Sequence, residues 1–221
     1  INASLTFPDG RTGLASCPVT VTPHTGDVLS EQAPTASRDG WQQINCTVCG
    51  HEATHILSRL FLDLDGTQWY ADGVDDIVDR GLMNGTGSDT FSPNASTTRG
   101  MLMTILARYA GEDTTGSTPW YQRGMEWAKA NGVSDGTNPE VNITREQLVT
   151  MLYRYVGFPK ANGSLDSFSD AASVSSYAVN AMQWAVANGI VNGSNGKLNP
   201  QNNATRAQVA AILMRFCEMS K

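Results

Sequence analysis

Residues 184–206 decide the fold, and they read WAVANGIVNGSNGKLNPQNNATR. This stretch joins the end of a helical pattern to a glycine-rich loop, a proline and a Thr-Arg pair. The same landmarks occur twice earlier in the chain, each time with the proline six residues before the arginine: Pro93 and Arg99, Pro139 and Arg145, Pro200 and Arg206. Self-similarity of this kind indicates a repeat architecture.

Each Thr-Arg pair opens the pattern of an amphipathic helix. Apolar residues follow at i, i+3, i+4 and i+7, from Leu102 to Tyr109, from Leu148 to Tyr155 and from Val209 to Phe216. This spacing predicts helices that place one face in a core. Capping boxes are predicted where a glutamine follows the threonine three residues later, in the pairs Thr144 with Gln147 and Thr205 with Gln208.

A second helical pattern precedes each glycine turn, and Gly81, Gly132 and Gly189 are the predicted left-handed caps of those helices. We therefore expect three helix-loop-helix repeats at residues 59–112, 113–160 and 161–221, behind a small β-rich module at residues 1–58. One such repeat cannot bury its apolar face alone, so the three must pack together. The middle repeat lacks the Phe-x-Asp motif that opens the other two at Phe61 and Phe168.

Phe-x-Asp, the Trp-Ala helix, Asn-Gly-Ile-Val-x-Gly and the Thr-Arg helix start together resemble the S-layer homology (SLH) repeat, over roughly residues 60–221. The resemblance implies a mainly α-helical, pseudo-threefold bundle with one long helix per repeat at its centre and grooves between neighbouring repeats. It also implies binding of an acidic, often pyruvylated, secondary cell-wall polysaccharide. The expected function is non-catalytic anchoring of an extracellular protein to the cell wall or S-layer of a Gram-positive bacterium, with a lattice or a cargo domain as further partner.

The arginines of the Thr-Arg pairs are the predicted ligand anchors. Each stands at the first position of a helix, where the helix dipole opposes a positive charge, and a guanidinium beside free helix amides makes a good carboxylate site. We assign the polysaccharide to these side chains, to the threonines before them and to two tryptophans whose faces suit sugar rings: Thr98, Arg99, Trp127, Thr144, Arg145, Trp184, Thr205 and Arg206.

Structural alternatives stand beside each of these assignments. The arginines would instead tie their helix starts to Asp63 or Asp170, and the tryptophans would belong to the core. A second set of arginines follows the first after nine residues, on the opposite helix face, and is interpreted as structural or solvated: Arg108, Arg154 and Arg215.

The amino-terminal module has a different chemistry, because three of the four cysteines and all three histidines lie in residues 1–58. Cys46-x-x-Cys49 is typical of a knuckle that holds zinc, and Cys17 or His24 would complete a tetrahedral structural site. A disulfide or free thiols are the alternatives. The chain starts in a polar stretch without a signal peptide, which predicts a piece processed or excised from something longer.

The run His51-Glu-Ala-Thr-His55 matches the His-Glu-x-x-His signature of zinc peptidases, with Glu52 as the general base. Only fifty residues precede it and no third histidine follows, so a metallopeptidase is an alternative function and we expect no enzyme. A protein–protein assembly module of a surface layer is the other alternative. The net charge of −6 argues against nucleic acid, and no apolar run reaches the roughly 20 residues needed to span a membrane.

Overall fold

The computed structural model describes residues 2–6, 12–16 and 25–219, and the chain divides into two compact units. The first comprises Ile1–Ala33 and Gly40–Leu57, and the second comprises Pro34–Asp39 and Ser58–Lys221. The loop at residues 34–39, which connects two strands of the first unit, therefore belongs to the second.

The first unit is built from antiparallel strands. β1 (Asn2–Thr6) pairs with β2 (Thr12–Ser16). A three-stranded sheet follows in the order β3 (Gly26–Gln32), β4 (Gly40–Cys46) and β5 (Glu52–Leu57), with a register shift between Val28 and Ser30. An amino-terminal β-rich part was expected, and the sheet agrees with that expectation.

The second unit is helical. Its α-helices within the described range are α1 (Ala71–Asp79), α2 (Arg99–Tyr109), α3 (Gln122–Ala130), α4 (Arg145–Tyr155), α5 (Val179–Ala187) and α6 (Arg206–Met219). Short 3-10 turns at Ala171–Ser173 and Ser176–Ala178 lead into α5. The protein is thus mainly α-helical with a small antiparallel sheet. No helix in the described part of the chain is long and apolar enough to cross a membrane.

The predicted helix caps are confirmed. The Thr144 hydroxyl accepts the backbone N–H of Gln147 at 3.4 Å, and the Gln147 side chain accepts the N–H of Thr144 at 3.2 Å. Thr205 and Gln208 make the same two bonds at 3.3 and 3.2 Å. The three predicted glycine caps have φ angles of +67 to +69°: Gly81, Gly132 and Gly189.

The long helices α2, α4 and α6 are joined at both ends. Just before their first turns, three backbone hydrogen bonds of 2.9 Å form a closed ring: Thr97 N–H donates to Ala204, Ala204 N–H to Ile143, and Ile143 N–H to Thr97. At their last turns the rings of Tyr109, Tyr155 and Phe216 meet pairwise, with centroids 5.6 to 6.0 Å apart. The core of the helical unit lies between these two ends.

Each shorter helix packs on a long helix from another predicted repeat: α1 on α6, α3 on α2 and α5 on α4. Small residues allow this approach. A Cβ atom at Gly124 would lie 2.6 Å from Cα of Thr104, and one at Gly73 would lie 2.9 Å from Cα of Ala211. Because of this interlocking, grooves between the helices can draw side chains from distant parts of the chain.

Candidate functional site

The three predicted anchor arginines make one contact in common. In each, Nε donates to the carbonyl of the residue two positions before a proline: Arg99 to Thr137 at 3.0 Å, Arg145 to Leu198 at 2.8 Å, and Arg206 to Phe91 at 2.8 Å. Each arginine therefore reaches the loop of a different predicted repeat. One edge of every guanidinium has a structural role, and only its remaining N–H groups are available to a ligand.

The expectation of free helix amides beside these arginines is wrong. The N–H groups of Arg145 and Glu146 donate to the carbonyls of Asn202 and Pro200, both at 3.0 Å, and the starts of α2 and α6 are occupied in the same way. The proline turn of another repeat lies against each helix start and takes these donors. These helix-start amides are therefore not available to a carboxylate.

The aspartates of the Phe-x-Asp motif bind the same loop segments as the arginines. Asp170 accepts the backbone N–H groups of Leu198 and Asn199 at 2.8 and 2.7 Å, while Arg145 binds the Leu198 carbonyl. Asp63 holds residues 91 and 92 in the same way, at 2.8 and 2.7 Å. The structural alternative tied these arginines directly to Asp63 or Asp170. Among the described residues no such ion pair is present, and each aspartate and its arginine instead bind the same loop segment.

Three grooves of related composition occur in the described part of the helical unit. Each combines a glycine-rich loop or its edge, the long helix after it, one arginine from the start of another long helix, and one aromatic side chain. Groove 1 is lined by residues 82–86, part of α2, Trp120 and Arg206. Groove 2 is lined by Asp135, part of α4, Tyr177 and Arg99. Groove 3 is lined by residues 191–194, part of α6, Trp69 and Arg145.

Groove 3 is the largest of the three, about 700 Å³ against about 470 Å³ for groove 1 and 220 Å³ for groove 2. Arg145 and Arg215 both line it, and none of its described lining residues is acidic. The terminal nitrogens of Arg145 have no hydrogen bond or ion pair among the described residues, and Arg215 makes one long bond of 3.5 Å to the Ile190 carbonyl.

Electrostatics in groove 3 favour an anion. Burial lowers the pKa of Arg145, and the nearby charge of Arg215 lowers it further, against the opposing attraction of Asp170. A guanidinium nevertheless stays protonated in proteins. Two like charges held close together without a carboxylate in the lining are stabilised when an anion binds between them.

The rest of the groove 3 lining is polar amide and aromatic. Trp69 is 66% exposed, and its ring stands nearly perpendicular to that of Tyr70, so much of its apolar surface is open to a ligand. Amide side chains surround the arginines, namely Asn192, Asn199, Asn202, Asn203 and Gln208. Amides both donate and accept hydrogen bonds, as sugar hydroxyls require.

Sequence reasoning missed Trp69 and did not place Arg215 at a groove. An aromatic residue stands twelve residues before each capping glycine: Trp69 before Gly81, Trp120 before Gly132 and Tyr177 before Gly189. This repeated spacing could have identified the aromatic residue of each groove from the sequence. The second arginine set was interpreted as structural or solvated because it lies on the helix face opposite the first set. Arg215 lines groove 3 all the same, since the groove takes its first arginine, Arg145, from a different helix.

In groove 1 the arginines are engaged by the protein itself. Arg206 is 6% exposed; besides Phe91, it donates to the Asn84 carbonyl at 2.6 Å, and its guanidinium carbon lies 4.5 Å from the Phe91 ring centroid. Arg108 donates to Thr114 at 2.9 Å and to the Leu82 carbonyl at 3.3 Å. Groove 1 therefore offers less free guanidinium than groove 3.

In groove 2 the anchor arginine is paired with an acid. The terminal nitrogen of Arg99 lies 2.9 Å from Oδ1 of Asp135. Tyr177 donates its hydroxyl proton to buried Glu146 at 2.9 Å, and burial together with this bond raises the pKa of Tyr177 to about 12. The aromatic side chain of groove 2 is thus fixed in place.

The remaining predicted ligand residues have mainly structural surroundings. Trp184 is 3% exposed and packs on Tyr153 and Phe216, so its ring has no open face, and its assignment to sugar binding is corrected to the core. Trp127 is half-buried against Tyr155. The threonines Thr98, Thr144 and Thr205 accept helix-capping bonds, and Thr205 also lines groove 3.

The cysteine-containing turn lies in the first unit, between β4 and β5. Cys46 is the last residue of β4, and its carbonyl accepts the N–H of Gly50 at 2.8 Å. Cys17 and His24 lie outside the described residues, so the structural zinc stays a prediction. His51-Glu-x-x-His55 does not form a helix, because Glu52–Leu57 is strand β5, and the peptidase alternative lacks the helix that its signature requires.

Comparison with known proteins identifies the class. Residues 60–100 and 167–210 match the family model of the S-layer homology domain, and these two regions therefore carry that domain. The middle segment, which lacks Phe-x-Asp, is not among the matched residues. The SLH domain, together with likeness to a surface-layer protein, indicates a location at the bacterial cell surface, in the S-layer or cell wall.

Two relatives are similar over most of this chain. An amylopullulanase of Thermoanaerobacterium thermosulfurigenes is 30% identical over 76% of this chain and 10% of its own length. A surface-layer 125 kDa protein of Lysinibacillus sphaericus is 28% identical over 71% of this chain and 15% of its own length. The chain thus spans only a tenth to a seventh of these relatives, and the likeness concerns a module rather than a whole protein.

Proposed function

We propose that the helical unit is a pseudo-threefold arrangement of three SLH repeats that attaches its protein, without catalysis, to an acidic cell-wall polysaccharide. The closed ring at Thr97, Ile143 and Ala204 supports the threefold arrangement, because three equivalent backbone positions bind one another in turn. The shared likeness to a surface-layer protein and to a segment of an amylopullulanase fits an anchoring module joined to different partner domains.

The composition of groove 3 carries this proposal. Two guanidinium groups, Arg145 and Arg215, face a groove of about 700 Å³ that has no acidic residue among its described lining. Guanidinium forks bind carboxylates through charge-assisted hydrogen bonds. The exposed Trp69 supplies an apolar face for a sugar ring, and the asparagines supply hydrogen bonds to its hydroxyls. A sugar that bears a carboxylate satisfies all three sets of groups.

Grooves 1 and 2 contribute less to anion binding in this proposal. In groove 1, Arg206 already binds two backbone carbonyls and the Phe91 ring. In groove 2, Arg99 already binds the carboxylate of Asp135. We therefore expect one dominant acidic-sugar site per chain, in groove 3, instead of the three equal sites that the repeats alone suggest.

The test compares Arg215→Gln with Arg154→Gln in the full chain. Arg215 and Arg154 occupy the same position in successive long helices, but only Arg215 lines groove 3. Calorimetric titration with polysaccharide released from the sacculi of an SLH-bearing bacterium measures affinity. Loss of one charge-assisted interaction costs about 1.5–3 kcal/mol, so Arg215→Gln should weaken binding roughly 10- to 100-fold.

Arg154→Gln should leave the affinity within about twofold of wild type, since a difference below about 0.4 kcal/mol is expected for a residue away from the site. Equal affinities for Arg215→Gln and wild type would refute the assignment of groove 3. Both variants should retain the thermal midpoint of the parent, because neither side chain makes an ion pair among the described residues.

A further inference from the structure

One loop position distinguishes the three grooves. The third residue after each capping glycine is asparagine in grooves 1 and 3, at Asn84 and Asn192, and aspartate in groove 2, at Asp135. A glycine follows in every case. Gly136 and Gly193 have similar positive φ angles, +74° and +70°, so the local backbone is comparable in grooves 2 and 3, where a carboxylate in one replaces an amide in the other.

The Asp135 carboxylate is held against Arg99 by its own backbone. Oδ1 accepts the N–H of Thr137 at 3.0 Å and the terminal nitrogen of Arg99 at 2.9 Å. The side chain of Arg99 is 13% exposed and that of Asp135 is 63% exposed, so the guanidinium is shielded while the carboxylate stands at the open side of the pair. The backbone bond from Thr137, with the Arg99 charge as a smaller contribution, lowers the pKa of Asp135, and the group is ionised at neutral pH.

We propose that Asp135 is a built-in carboxylate ligand that occupies Arg99 and closes groove 2 to acidic sugars, so that the residue at this loop position determines which grooves accept an anion. The inference rests on the proposed function of groove 3. In groove 2, Asp135 offsets one of the two positive charges, Arg99 and Arg154. In groove 3 no described lining residue is acidic, and Asp170, which attracts Arg145 electrostatically, binds the loop backbone and forms no ion pair with that guanidinium.

The geometry allows this idea to be tested without disturbing the loop. Three donors bond to Oδ1 of Asp135: a terminal nitrogen of Arg99, the hydroxyl of Ser134 and the backbone N–H of Thr137. An asparagine can keep Oδ1 in the same place and turn its amide nitrogen toward solvent. Asp135→Asn therefore removes the charge but retains the turn, and it gives groove 2 the residue present in grooves 1 and 3.

The reciprocal substitution is Asn192→Asp. Asn192 lines groove 3 together with Arg145, and a carboxylate there would add a negative charge to a lining that otherwise has none among its described residues. We expect this variant to convert groove 3 to the closed state of groove 2. Asp135→Asn thus removes a negative charge from groove 2, and Asn192→Asp adds one at the equivalent position of groove 3.

The experiment follows the Nε–H signals of Arg99 and Arg145 in NMR spectra of the full chain, because each Nε–H is bonded to a loop carbonyl and reports on one groove. The probe is a set of short oligosaccharides from the polysaccharide of SLH-bearing sacculi. In wild type only the Arg145 signal should shift at low ligand concentration. Asp135→Asn should add a shift of Arg99 with at least tenfold higher apparent affinity, and Asn192→Asp should weaken the response of Arg145 at least tenfold.

The outcomes separate the two proposals. A wild-type response at Arg145 with no gain at Arg99 in Asp135→Asn would overturn this inference and leave the proposed function standing. Unchanged binding by Asn192→Asp would overturn it as well. Absence of any response at Arg145 in the wild type would refute the proposed function and, with it, the inference.

Discussion

Replacement of Asp170 by asparagine should destabilise the helical unit substantially, although the two side chains have the same shape. The carboxylate of Asp170 accepts two backbone N–H groups, from Leu198 at 2.8 Å and Asn199 at 2.7 Å, and Leu198 is fully buried. An asparagine can accept only one of them, and its amide then faces the other donor. Loss of charge assistance plus one unsatisfied buried donor costs about 2–4 kcal/mol.

The assay is urea unfolding of the full chain, followed by helical circular dichroism, which reports on the helical unit. Asp166→Asn is the control, because the Asp166 side chain makes no hydrogen bond among the described residues and should change the unfolding free energy by less than about 0.5 kcal/mol. If Asp170→Asn behaved like this control, the role given to the Phe-x-Asp motif would be refuted.

The pH dependence of the same difference gives a second check. Partial burial alone would raise the pKa of Asp170, but the N–H donors of Leu198 and Asn199 outweigh it and lower the pKa below its usual value of 3.8. A depressed folded-state pKa stabilises the fold above the unfolded-state value and loses that contribution as pH falls through the folded-state value. The stability gap between wild type and Asp170→Asn should therefore be complete at pH 6 and shrink below about pH 4.

Two further substitutions test buried contacts of the helical unit. Gly124→Ala, in the first turn of α3, would ordinarily stabilise a helix by up to about 1 kcal/mol, but its Cβ would lie 2.6 Å from the backbone of Thr104. We expect a net loss of about 1–2 kcal/mol in thermal unfolding, and a raised midpoint would contradict the close approach. Thr97→Val removes a buried hydroxyl that has no hydrogen-bond partner among the described residues. This substitution should raise the unfolding free energy by about 1 kcal/mol. A clear decrease in the unfolding free energy would show that the hydroxyl is satisfied.

The sequence predicted the helical unit well where local patterns determine structure. The stripe from Leu148 to Tyr155, the Thr144–Gln147 capping box and the glycine cap at Gly132 all depend on residues within one or two turns, and each is present. The Phe-x-Asp motif was recognised as a landmark. Its bonds to a loop 28 residues further on were not predictable from spacing within the motif.

The candidate site was harder to predict because it is assembled from three distant segments. Sequence reasoning placed Arg99, Arg145 and Arg206 in equivalent roles, yet the structure gives them different surroundings. Arg99 pairs with Asp135, the terminal nitrogens of Arg145 face a largely open groove, and Arg206 binds two carbonyls and an aromatic ring. These differences arise from the neighbouring repeat rather than from the helix that carries the arginine. Periodicity along one helix does not contain that information.

Helix starts were a second source of error. Thr-Arg was expected to leave amides free for a carboxylate, as at an isolated helix end. The proline turn of another repeat satisfies those amides instead, for example Pro200 against Glu146. Only the contact between repeats shows this, and it moves the chemistry of recognition from backbone to side chains.

The most direct test of the account is co-sedimentation of the full chain with purified sacculi, before and after hydrofluoric acid removes the attached polysaccharide. If groove 3 binds an acidic wall polysaccharide, the chain should pellet with native sacculi and stay in solution with stripped ones. Soluble polysaccharide should also compete it off the native sacculi. Equal binding to native and stripped sacculi, or no binding to native sacculi from several SLH-bearing bacteria, would contradict the account.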